Sequence, residues 1–181
     1  GQDGTDGIDG VNGLGAMIPY ASGLPVAITG LVGGLLGTSA AIGMGIAAEN
    51  VLFSDTTIDL TGSLGTLLNF AMVIPRDGVL TDFSAFFSVA LGATLLSTTT
   101  IQAFIYKSIS PTSNTFERIV TLNLTPALGP IIVAGQTRAA HETFSPGIPV
   151  PQGERLLVVF GCTSSLATAV TGYASAGIGI S

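Results

Sequence analysis

The stretch Val79-Leu80-Thr81-Asp82-Phe83-Ser84-Ala85-Phe86-Phe87-Ser88-Val89-Ala90-Leu91 decides the fold class. Phe83, Ala85, Phe87, Val89 and Leu91 fall on alternate positions, with Asp82, Ser84 and Ser88 between them. Side chains of an extended chain point to opposite faces in turn, so this pattern predicts a strand with one buried and one outward face. Upstream, Thr57–Leu64 sets Ile58 and Leu60 against Asp59 and Thr61. Leu68, Phe70, Met72 and Ile74 then alternate with Asn69, Ala71, Val73 and Pro75, up to the turn Arg76-Asp77-Gly78. Downstream come Thr99–Lys107, the turn Ser110-Pro111-Thr112-Ser113-Asn114, and Ile119–Thr125, where Val120, Leu122 and Leu124 alternate with Thr121 and Asn123 before Pro126. Ser145–Glu154, with three prolines and two glycines, reads as a loop. Two strands close the chain, Arg155–Cys162 and Ala169–Ile180, the second with Val170, Gly172, Ala174, Ala176, Ile178 and Ile180 in phase. No segment combines helical periodicity with caps. Eight or more short strands separated by turn residues predict an all-β, antiparallel sandwich of the jelly-roll kind.

The amino-terminal end obeys a different rule. Gly1-Gln2-Asp3, Gly4-Thr5-Asp6, Gly7-Ile8-Asp9, Gly10-Val11-Asn12 and Gly13-Leu14-Gly15 place glycine at every third position, and the pattern stops at Ala16. This is the spacing of a collagen triple helix, in which only glycine fits at the crowded axis of three chains. The repeat therefore predicts a homotrimer. It is nonetheless a weak assembler, because no proline pre-sets its backbone and Asp3, Asp6 and Asp9 would repeat in all three chains. The β-domain must hold the chains together, and the repeat reads as the trailing end of a longer stalk. The expected division is a collagen-like stub over 1–15, a hinge over 16–22 containing Pro19, and a β-sandwich trimerisation domain over 23–181. Within that domain Ala27–Ala48 is glycine-rich and weakly patterned, suiting either strand–turn–strand or loops packed near a trimer axis.

Composition points the same way. Of the 181 residues 47% are hydrophobic and only 9% charged, far below the roughly 25% charged of an ordinary soluble domain. Too few charged side chains exist to coat the surface of a monomer, so the chain either enters a membrane or buries surface against copies of itself. Val26–Ala48 is long enough to span a bilayer, and Gly30/Gly34 and Gly33/Gly37 have the spacing of close-packed membrane helices. Yet Gly, Ser and Thr dilute it, and basic and aromatic anchors are missing from its flanks. Self-association without a membrane span is the expectation. With a net charge of −6 and five basic residues, nucleic acid is not an expected partner.

Candidate chemistry is sparse. His141, the sole histidine, lies near Glu142 and Ser145, but a hydrolytic triad needs an oxyanion site and no nucleophile-elbow motif occurs. A solvated loop histidine is the expected reading. Cys162, the sole cysteine, is in phase with Leu156, Val158 and Phe160 and reads as a small buried hydrophobe, with no partner for an intrachain disulfide and no zinc motif. Asp55 and Asp59, or the carboxylates of the stub, could seat calcium only with further oxygen ligands that no calcium-loop motif supplies. No catalytic, metal or cofactor residues are assigned, and an enzyme is not expected.

The Gly-X-Y stub, the apolar β-rich module, and the stretches Asn69-Phe70-Ala71-Met72-Val73-Ile74-Pro75-Arg76-Asp77-Gly78 and Val170-Thr171-Gly172-Tyr173-Ala174-Ser175-Ala176-Gly177 resemble the collagen-like exosporium glycoproteins of spore-forming bacteria. The resemblance implies a trimeric jelly roll similar to those of complement C1q and tumour necrosis factor. It also implies a structural role as the C-terminal trimerisation and tip domain of a spore-surface filament, on the extracellular face. Its implied partners are two further copies, other spore-surface proteins, and a host or surface ligand. The family carries O-glycans on threonines of proline-rich triplets; here only Thr5 lies in the stub and no such triplet occurs. Two other readings are a ligand-binding head of the C1q kind and a bacteriophage tail-fibre or adhesin tip.

Overall fold

The computed structural model describes residues 1, 4, 7, 15–52, 56–60 and 70–181. Most of the collagen-like stub, Asp55, and residues 61–69 of the expected strands lie outside the described residues. The described strands are β1 (Ala16–Ala21), β2 (Val26–Leu31), β3 (Leu35–Leu36), β4 (Ser39–Ile42), β5 (Ala47–Val51), β6 (Thr57–Asp59), β7 (Met72–Val73), β8 (Gly78–Val89), β9 (Ala93–Thr94), β10 (Thr99–Ser108), β11 (Thr115–Asn123), β12 (Ile131–Ile132), β13 (Thr137–Val150), β14 (Arg155–Ser164) and β15 (Thr168–Ile180).

They form two antiparallel sheets. The first runs β13-β8-β15-β2-β3, with β1 paired to the second half of β15; the second runs β5-β4-β14-β10-β11-β6, with β7 on β14. The chain repeatedly crosses between the layers, as in a jelly roll: β8 belongs to the first sheet, β10 and β11 to the second, β13 to the first, β14 to the second and β15 to the first. The two strands β9 and β12 pair separately at one end.

The core sits where alternation put it. Phe83, Ala85, Phe87, Ala174 and Ile178 of the first sheet meet Ile101, Ala103, Ile105, Leu156, Val158, Phe160 and Cys162 of the second. The rings of Phe87 and Phe160 stack across the interface with centroids 6.4 Å apart. Tyr20 of β1 reaches the second sheet and donates its hydroxyl to the Leu156 carbonyl over 3.4 Å. Strand β14 is buried on both faces from Leu156 to Cys162. Its other phase, Leu157 and Val159, packs with Val51, Ile58, Phe104, Tyr106 and Phe116 of the same sheet and with Leu60 and Phe70, which lie outside its strands. The chain therefore covers the outer face of its own second sheet.

Three expectations change. Residues 16–21, read as a hinge, are strand β1, which pairs with β15 along its length and, on its other side, is bridged at Ala21 to Met44; the edge position of Pro19 tolerates its missing N–H. The loop expected over Ser145–Glu154 is largely the second half of β13, which pairs with β8 again after an irregularity between Thr143 and Ile148. This too is an edge strand, where prolines are tolerated. Between Leu68 and Ile74, only Met72–Val73 is a described strand. The ambiguous Ala27–Ala48 resolves into strand–turn–strand, with Gly33 and Gly34 supplying positive φ at the β2–β3 turn. Among the described residues no helix is long and apolar enough to cross a membrane.

Candidate assembly face

Among the described residues, none covers the outer face of the first sheet. Register sets its side chains in rows across four strands. One row is Ala139 of β13, Phe86 of β8, Ser175 of β15 and Ala21 of β1; the next is His141, Ser84, Gly177 and Pro19; the third is Thr143, Asp82, Gly179 and Met17. Apart from Asp82 and His141 every member is small or apolar, and Phe86, Met17 and neighbouring Tyr173 are exposed. The glycines leave a shallow trough of about 680 Å³ between Phe86, Ala139 and Pro19, continuing into one of about 370 Å³ beside Met17, Asp82 and Gly179.

The two ionisable residues of the face belong to one hydrogen-bonded chain. The Thr143 hydroxyl donates to Asp82 Oδ1 over 2.9 Å, so its oxygen accepts from His141 Nε2 at 3.0 Å. In the neutral ring Nδ1 is then the acceptor, and the Ser84 hydroxyl donates to it over 2.7 Å. Asp82 Oδ1 lies 3.9 Å from Nε2. The hydrogen bond from Thr143 and then that from Thr81 hold the Asp82 carboxyl below the usual carboxylate range, with desolvation opposing them and the field of His141 adding a smaller pull in their direction.

His141 is therefore fastened on a strand and not carried on a loop, and its ring partners are Ser84 and Thr143, not Glu142 or Ser145. Asp82 and Ser84 stand on the outward phase already visible in the sequence. Their meeting with a residue nearly sixty positions away needed the β13–β8 register. Cys162 is fully buried, and desolvation pushes its thiol up to about 12. Asp59 closes the short strand β6. Among the described residues no group of three or more His, Cys, Asp or Glu side chains could hold a metal ion.

The basic residues are mostly committed internally. Lys107 pairs with Glu154, Arg155 caps the Phe116 ring at 5.1 Å and bonds to the Ser113 carbonyl, and Arg118 lies 5.2 Å over Phe104. Arg138 bonds to the carbonyls of Thr137 and Ala127. No basic patch forms from these four.

No protein-family profile matches the chain. It is similar to Collagen-like protein 1 of Acanthamoeba polyphaga mimivirus, 30% identical over 184 aligned positions that take in 92% of this chain. The Gly-X-Y repeat occupies only the first fifteen residues, so a match of that extent runs through the β-domain. The chain spans 19% of the length of that relative. Sequence and structure together thus describe a collagen-like repeat joined to an all-β domain, similar to part of a larger collagen-like protein.

Proposed function

We propose that this chain is a structural trimerisation and tip domain at the C-terminal side of a collagen-like strand, working through the bare face of its first sheet. The observation that carries the reading is the asymmetry of the sandwich: the outer side chains of the second sheet are buried, with Leu60 and Phe70 packed onto them, while the first exposes Phe86, Tyr173 and Met17 around a glycine-floored trough. Burial of apolar area contributes roughly 25 cal/mol per Å². A β-interface can therefore align three chains whose acidic, proline-free repeats would not wind by themselves. The join supports this role, since Gly15 packs against the backbone of Ile180 and Ser181, and a Cβ there would collide with Ile180.

The resemblance to exosporium glycoproteins supports placing such a filament on the outer surface of a spore, with other spore-surface proteins as neighbours. The similarity to a viral collagen-like protein supports the second reading, a fibre tip of a virus particle. In both, the domain acts by assembly and not by catalysis. Ser84, His141 and Asp82 stand in sequence, but β8 is paired on both sides, so its N–H groups serve the ladder and not an oxyanion. The test joins a long Gly-Pro-rich repeat to residues 16–181 and follows its cooperative triple-helix melting by circular dichroism. The reading expects refolding to be markedly faster with the domain attached than without it. Equal rates would reject the domain as the aligning element.

A further inference from the structure

In the three rows across β13, β8, β15 and β1, His141 and Asp82 are the two side chains able to carry charge. They stand on neighbouring strands, with side chains 57% and 46% exposed and 3.9 Å between His141 Nε2 and Asp82 Oδ1. In a single chain water solvates them. A copy packed on the face would strip that water away.

Among the described residues of the face nothing else balances them. β15 and β1 contribute Gly177, Gly179, Pro19 and Met17 to the troughs around the pair. On β13, Glu142 belongs to the opposite phase, in register with Phe83. So does Arg138, in register with Phe87 and bonded to the carbonyls of Thr137 and Ala127. Tyr173 of β15 lies two rows away, in register with Ser88. Once covered, the pair sets the charge of the interface by itself. With a neutral imidazole it carries −1 per chain on Asp82, and a buried carboxylate without a counter-charge is costly. One added proton brings the pair to zero. On the ring it sits at Nδ1, where the Ser84 hydroxyl turns so that its oxygen accepts, and Thr143 still links Nε2 to Asp82. On the carboxylate it gives the same net charge, so the direction of the effect is the same for either group. Histidine is the side chain whose ordinary titration falls between about pH 5 and 8, and His141 is the only one in the chain.

We propose that His141 and Asp82 make assembly through this face acid-strengthened: each chain takes up a proton on joining its neighbours, and association tightens as pH falls through the histidine range. The proposal rests on the reading of this face as the contact between copies. An assembly that binds more protons than its separate chains is favoured by lowering the pH. The test is sedimentation equilibrium of the full chain between about pH 8 and about pH 5.5 at constant ionic strength, with His141→Gln and Asp82→Asn alongside. Wild-type association is expected to tighten by on the order of tenfold or more over that interval. His141→Gln keeps a donor and an acceptor but has no ring to protonate, and is expected to lose the dependence. Asp82→Asn leaves the face neutral at the upper pH and cationic at the lower, so its association is expected to weaken on acidification. A wild-type assembly that is flat or loosens as pH falls overturns the proposal, as does either variant keeping the wild-type slope. Chains that stay single at every pH fail the reading of the face itself, and the proposal with it.

Discussion

Gly177 offers a clean way to separate folding of one chain from assembly of several. It sits mid-way along β15 on the outward phase, and a Cβ built there meets nothing within 4 Å. Its φ is not in the left-handed region, so a side chain fits without backbone strain. Replacing glycine within a strand should leave the single chain as stable or raise it by about 0.5–1 kcal/mol. The variant Gly177→Glu, however, puts a carboxylate into the floor of the trough beside Ser84 and Pro19. If that face is covered by another copy, each interface must bury an unpaired charge. At a cost of roughly 3 kcal/mol per site, association weakens by about two orders of magnitude per interface. Sedimentation equilibrium reads the association, and circular dichroism melting reads the fold. The contrasting variant is Gly172→Ala, five residues earlier on the inward phase, whose Cβ would lie 2.6 Å from Phe87 ring atoms and run into the Ser88 carbonyl oxygen. It should lose the fold itself. Gly177→Glu associating as tightly as the parent would refute the assignment of this face, and an unfolded Gly177→Glu would refute the phase of β15.

Further outcomes follow from the same structure. Cys162, buried with its thiol pushed up to about 12, should react with a thiol reagent at pH 8 only after denaturation; rapid labelling of the native chain would contradict the β14 phase. Thr143→Val removes the largest influence holding the Asp82 carboxyl low, so its titration, followed by NMR, should move up toward the ordinary carboxylate range. Because the folded carboxyl is depressed, its small stabilising contribution is present above that range and lost as pH falls through the lowered value; an unmoved titration would mean that the Thr143 bond does not form. Phe160→Ala, which opens a cavity against Phe87, should cost about 3–5 kcal/mol in chemical unfolding, and a loss below 1 kcal/mol would deny the sheet-to-sheet packing.

Local alternation was enough to read β8, β10, β14 and β15, because each buries at least one face against a continuous core and so carries an apolar phase. It was also enough to place Cys162 and the inward residues of β15. It failed at β1 and β13, whose edge positions admit Pro19, Pro146 and Pro149 and so imitate hinge and loop. The site was half legible. Asp82 and Ser84 could be put on an outward face, but their partner His141 joins them only through cross-strand register, which no local pattern encodes. The bareness of that face was not legible either. It depends on which sheet Leu60 and Phe70 pack over, a choice made by long-range packing with Phe104, Tyr106 and Leu157.

The most direct test of assembly through the β-domain is the solution mass of residues 16–181, without the Gly-X-Y repeat, by light scattering at micromolar concentration. The account predicts three chains per particle, reduced to one by Gly177→Glu with the melting temperature of the single chain preserved. A folded wild-type domain that runs as a single chain across that concentration range would contradict it.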